Sequence, residues 1–160
     1  MSIAVEIDGD NRPFATPASG EFRDTDEIRP YTAFVTFDRE LFARAADELR
    51  AQGSVIAERS VGAQIAALAP RSVETLVRDA RYNVEHLAEA IALGDPEAFA
   101  AYAGWLQGLL VAAAHVPASV VSDHLGHLAN AVRERTGAGS AALAGEYIAY
   151  ALGRLGREVP

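Results

Sequence analysis

From Asp38 to Leu155 the apolar residues of this chain recur at intervals of three and four and almost never alternate. Between Pro70 and Leu93 the positions Val73, Leu76, Val77, Ala80, Val84, Leu87 and Ile91 form one stripe. Arg78, Asp79, Arg81, Glu85 and Glu89 fall mostly off it, as on an amphipathic helix with one buried face. Leu93-Gly94-Asp95-Pro96 punctuates the run. Glycine suits the left-handed position that ends a helix, and Asp then Pro suit the N-cap and first turn of the next. That next helix, running to His115, places Phe99, Tyr102, Ala103, Leu106, Leu109 and Leu110 on its buried side. So short a joint predicts that the two helices lie close, antiparallel or steeply crossed.

Upstream, Leu41, Phe42, Ala45, Ala46 and Leu49 share a face, predicting a helix over 38–52. Thr36 or Asp38 is expected to cap it and Phe37 to staple its entry. Gly53 is expected to break or bend it, after which Ile56, Val61, Ile65 and Leu68 resume helical spacing. Downstream of Val116-Pro117, a helix with Val120, Val121, His124, Leu125, Leu128 and Val132 inward is expected to stop at Thr136-Gly137-Ala138-Gly139. Ser140 is expected to cap a last helix with the stripe Leu143, Tyr147, Ile148, Ala151, Leu152 and Leu155, fraying at Gly153 and Gly156. The fold class is therefore all-α, a bundle of five to six helices over 36–160. Residues 1–35 differ: seven acids fall within the first 29 positions, punctuated by Gly9, Pro13, Pro17 and Gly20. This acidic segment is expected to be mostly irregular, with an edge strand through Ile3, Val5 and Ile7 as the alternative.

At 160 residues the chain suits a single core-forming domain. Much of its apolar content is alanine, which favours closely packed helices. Without cysteine there is no disulfide, thiolate metal site or thiol nucleophile. All fourteen basic residues are arginine, which we read as a coding bias and not as phosphate recognition. A net charge of −8 argues against a nucleic-acid surface, which needs clustered positive charge. The first twenty residues carry no signal-peptide pattern. The longest apolar stretch, 106–116, is about half of the roughly 20 residues a spanning helix needs. A soluble cytoplasmic protein, off the membrane, is expected.

Chemistry-bearing side chains are few. His86, with Tyr82 one turn before it, could ligate a haem iron or contact another tetrapyrrole, a bilin or cobalamin; otherwise it is a half-exposed histidine bonded to a neighbour. Trp105, Tyr102 and Phe99 could stack on such a flat cofactor, or belong to core or interface. His115 is a further axial candidate. His124 and His127, three apart, are weak metal candidates, because the usual helical zinc pair is spaced by four and no third ligand stands nearby in sequence. Neither a Gly-x-Ser-x-Gly elbow nor a phosphate-binding loop occurs, so a catalytic activity is not expected.

The stretch HLAEAIALGDPEAFAAYAGWLQGLLVAAAHVPASVVSDHLGHLANAV has a distinctive order: a helix, Gly-Asp, an amphipathic helix, a hydrophobic-Pro pair and a further apolar helix. It resembles the N-terminal sensory domains of bacterial stressosome co-antagonist proteins and related input domains of actinobacterial regulators, over about 41–155. The resemblance implies a globin-like fold that dimerises and generally carries no haem, in a stress-signalling or assembly role. One departure is His115, which stands where such domains favour glycine. With no output module following, either a free-standing protein or an excised sensor is implied. The leading expectation is thus a non-enzymatic sensory or scaffold homodimer with no cofactor, signalling to a protein partner through helix packing. Tyr147, Tyr150 and Leu155 on the last helix are expected at the two-fold interface. The alternatives are a tetrapyrrole sensor with a histidine axial ligand, and a metal-dependent helical-bundle enzyme.

Overall fold

Hydrophobic stripes at helical spacing need facing partners, and five helices supply them in the computed structural model, which describes residues 38–64 and 72–156. They are α1 (Arg39–Gly62), α2 (Val73–Leu93), α3 (Pro96–Ala114), α4 (Ala118–Arg135) and α5 (Ala138–Leu155). The fold of the described residues is all-α. Thr36, Phe37, Ile65, Leu68, Pro70 and the N-terminal segment, with the strand considered there, lie outside those residues.

The helix ends are set locally. Asp38 caps α1, its carboxylate accepting from the backbone N–H groups of Glu40 and Leu41 at 3.1 Å each. Ser72 stands at the N-cap of α2 and accepts from Thr75 N–H. Gly94 ends α2 in the left-handed region, at φ 70°. The Asp95 carboxylate then accepts from the N–H groups of Glu97 and Ala98, opening α3 behind Pro96. The corner thus forms as its four residues predict.

Two boundaries differ from expectation. Gly53 does not break the first helix; α1 runs unbroken for 24 residues with Gly53 buried against α2. A Cβ there would meet Val84 Cγ1 at 3.7 Å, an ordinary contact. Glycine's extra backbone freedom in the unfolded chain is therefore a cost without steric need, and Gly53→Ala should stabilise the fold by about 0.5–1 kcal/mol in urea denaturation. The second difference lies at α5, whose N-cap is Gly137 and not Ser140. Ser140 is buried inside the first turn. Glu48 of α1 supplies the cap from across the bundle, accepting from Gly137 N–H at 2.7 Å and from the Ser140 hydroxyl. These two bonds, the Ser140 one the larger influence, hold the Glu48 carboxyl below its ordinary range. Glu48→Ala should cost about 1 kcal/mol, as loss of an N-cap does, and Glu48→Gln less.

The core draws on every helix: Leu49 and Ile56 of α1, Leu87 and Ile91 of α2, Phe99 of α3, Leu125 and Leu128 of α4, Ile148 of α5. A smaller cluster of Ala57, Val61, Leu76 and Ala80 joins the end of α1 to the start of α2. The principal neighbour of α2 is α1, and that of α3 is α5. Glu97 stitches the latter pair at the surface, accepting from the Tyr150 hydroxyl at 2.7 Å and pairing with Arg154 at 3.0 Å.

Burial follows the stripes except at their ends. On α3 only Phe99, Ala100 and Ala103 are fully buried, all in its first half. Leu109, expected inside, is 44% exposed, and Val73 at the start of α2 is 51% exposed. The principal partners of α2 and α3 are different helices. Leu109 borders a gap among the helices, and that gap holds the site.

Candidate functional site

The gap is a cavity of about 360 Å³ lined from four helices. Its apolar wall comes from Val61, Leu76 and Ala80 on one side and from Leu106, Leu109, Leu110, Val120 and Val121 on the other. Tyr82, His86, Tyr102 and Trp105 add rings, and Gln64, Asp79, Asn83 and His124 add polar atoms. A volume at the lower end of the small-molecule range, a mostly hydrophobic lining and a few convergent polar groups are what a ligand pocket consists of.

The rings form a connected set. His86 of α2 stacks on Tyr102 of α3, with centroids 3.8 Å apart and planes at 23°. Trp105 lies 6.0 Å beyond Tyr102, and the buried Phe99 lies 6.3 Å away on its other side. Helical spacing explains the order: three and six residues along α3 carry the rings from the core at Phe99 out to Trp105. Trp105 and Tyr82 are respectively 61% and 57% exposed, unusual for such large rings.

The polar atoms form one directed chain of hydrogen bonds. The Tyr102 hydroxyl donates to Asn83 Oδ1 at 2.7 Å, and Asn83 Nδ2 donates to His124 Nε2 at 2.9 Å. His124 Nδ1 donates to Gln64 Oε1 at 3.2 Å, and Gln64 Nε2 donates to the Val120 carbonyl at 3.2 Å. With both amides oriented in this way, His124 must carry its proton on Nδ1 and present a lone pair at Nε2. The string runs from α3 to α2, across to α4, to the turn after α1 and back to α4. Among the described residues no buried side-chain polar atom is left without a partner.

Electrostatics agree with that assignment. Desolvation, with a smaller push from His127, lowers the His124 pKa to about 4, so the ring is neutral near neutral pH. Its outer face meets the cavity while protein surrounds the rest, which reconciles its partial accessibility with a strong desolvation effect. Burial, then the Asp79 charge, raises the Tyr102 pKa to about 12, keeping the phenol a donor. With both ring nitrogens engaged, His124 can serve as a metal or iron ligand or as a general base only by breaking this chain.

The residues singled out in the sequence scatter differently. His86, Tyr82 and Trp105 do share the cavity; His115, expected with them, does not line it. His115 ends α3 in the left-handed region at φ 53°, its N–H bonded to the Leu110 carbonyl, in the conformation that glycine adopts most readily. His127 is also outside the lining, and no group of three or more metal-ligating side chains occurs among the described residues. Tyr147 and Leu155, expected at a dimer interface, are 5% and 3% exposed and belong to the chain's own core. Of the three, only Tyr150 reaches the surface, with its hydroxyl on Glu97.

Asn83, Gln64 and Asp79 were not anticipated. Asn83 had a signal: it sits three residues after Ala80 and four before Leu87, a polar side chain on the apolar stripe. Such a residue needs buried partners, and His124, on the stripe of α4, is one. Gln64 and Asp79 had none, since one follows a helix end and the other lies at the stripe's edge.

No helix among the described residues is long and apolar enough to cross a membrane. Comparison of the chain with protein-family models, curated proteins and solved structures gives no match, and the site is read from its own residues.

Proposed function

We propose that this chain is a non-enzymatic sensory domain that binds a small, largely apolar molecule in the cavity between α1, α2, α3 and α4. The observation that carries the reading is the hydrogen-bond string Tyr102–Asn83–His124–Gln64 along one wall of that cavity. A ligand that shifts Tyr102 or His124 changes bonds shared by three helices and the turn after α1 at once, and so favours one packing of the bundle over another. A ligand acts in this way only through its different affinity for the two packings. The resemblance of 41–155 to sensory domains points in the same direction, as does the exposure of Trp105 and Tyr82 at the cavity.

Trp105 is the chain's single tryptophan, so one indole resonance reports on occupancy. Titration with the neutral dye N-phenyl-1-naphthylamine should shift that resonance and enhance the dye's emission. Ala80→Phe, which fills the cavity from the α2 side without adding a second indole, should abolish both responses. Dye binding that survives the blocked cavity would overturn the proposal. A homodimer is part of the reading; light scattering at the monomer mass of 16.9 kDa would remove that part.

A tetrapyrrole sensor is the second reading, favoured by one observation: His86, Tyr82 and Trp105 line a single cavity. Only His86 of the lining histidines has a ring that is not tied into the string by both nitrogens. Hemin should then give a Soret band that is lost in His86→Ala. A protein that takes up no hemin leaves the first reading alone.

A further inference from the structure

The charge of the lining is one-sided. Among the lining side chains Asp79 is the only carboxylate, and none is an arginine. His124 is held neutral by its surroundings, and the Tyr82 and Trp105 rings in the lining add π systems that attract cations. We propose that the molecule recognised here is a hydrophobic cation, a protonated amine or planar aromatic cation, with its apolar body in the cavity and its charge shared by Asp79 and the rings. This rests on the ligand-binding reading above and narrows it.

Two further facts support the assignment. Asp79 has Arg78 at 3.7 Å, but both side chains are half-exposed or more, so the pair is screened and weak. The Asp79 charge still reaches Tyr102, where it opposes ionisation of the phenol. Asp79 thus sets a negative charge in the cavity wall, and the neighbouring guanidinium does not line it. An anion entering the same space would lose hydration and meet no arginine in the lining, and its own charge would face that of Asp79. The chain's overall charge of −8 acts in the same sense at longer range.

Three probes of one aromatic body separate charge from shape: 1-naphthylmethylammonium, 1-naphthalenemethanol and 1-naphthoate, each titrated into the full chain and followed by the Trp105 indole resonance. The ammonium should bind about threefold to tenfold more tightly than the alcohol, and the carboxylate most weakly. Asp79→Asn should erase the ammonium's advantage and leave the alcohol's affinity unchanged. Glu89→Gln, the same change in net charge on the exposed face of α2, should preserve it. Added salt should shrink the advantage in the unmodified chain, an arm that needs no variant. If the alcohol binds but the ammonium gains nothing over it, or if its advantage survives Asp79→Asn or is indifferent to salt, the cation assignment is overturned while the ligand-binding reading stands. If none of the three moves the indole resonance, both fall.

Discussion

Phe99→Ala should destabilise the bundle by about 3–5 kcal/mol, the largest loss expected from any single truncation here. Phe99 is 1% exposed and the bulkiest of the fully buried side chains. It is also the largest residue that α3 contributes to the core, since the rest of its buried face is Ala100 and Ala103. Alanine neighbours have no side chain with which to collapse into the void, so the cavity term adds to the lost transfer energy. The effect should not stop at stability. Phe99 backs Tyr102 at 6.3 Å, and Tyr102 starts the hydrogen-bond string, so the variant should also loosen probe binding at Trp105. Phe99→Leu, which refills most of the volume, should recover most of the loss. Urea midpoints of the three proteins measure this; a truncation cost below 1 kcal/mol would mean that α3 is held mainly by other contacts.

Acidification should weaken the fold in two stages, the first set by His124. Its pKa is lowered in the folded chain to about 4 from an ordinary 6.5. The folded state thus refuses a proton that the unfolded state accepts. This contribution is fully present above pH 6.5, declines as the pH falls toward 4, and changes no further below. The span corresponds to at most about 3 kcal/mol. Glu48 acts lower: its carboxyl is held down by Ser140 and Gly137, so its stabilisation is complete above its ordinary 4.5 and is lost only as the pH drops below that. Urea unfolding of wild type and His124→Gln between pH 7.5 and 4 separates the stages. The variant should be less stable at pH 7.5, because part of the string is gone, and should show a distinctly flatter profile between 6.5 and 4. Parallel profiles would show that His124 takes up its proton as readily folded as unfolded.

What the sequence made legible was whatever is decided within one turn of helix. The Gly94-Asp95-Pro96 corner could be placed because each of its residues meets a backbone need of its own immediate neighbours. The stripes on α2, α4 and α5 were legible for the same reason. What was not legible depends on residues far apart in the chain. Whether Gly53 breaks a helix depends on Val84, which lies alongside it on α2. The cap of α5 is a carboxylate 89 residues away from the N–H it serves. Leu109 and Leu106 read alike on the α3 stripe as buried positions, and only the folded chain shows that both border a cavity and that Leu109 is exposed. The histidine pair at 124 and 127 invited a metal because spacing was the only relation visible. The partners of His124, Asn83 and Gln64, come from two other elements and convert it from an available ligand into a fixed, neutral link. The ring set was half visible: His86, Tyr82 and Trp105 were grouped by chemistry, and folding brought them together.

The left-handed backbone at His115 sits at the elbow between two walls of the cavity. Only residues 115–117 connect α3, which carries Leu109 and Leu110, to α4, which carries Val120 and Val121. A residue with a side chain in that conformation costs on the order of 1 kcal/mol relative to glycine. The elbow between two of the walls is therefore held under conformational tension outside the lining itself.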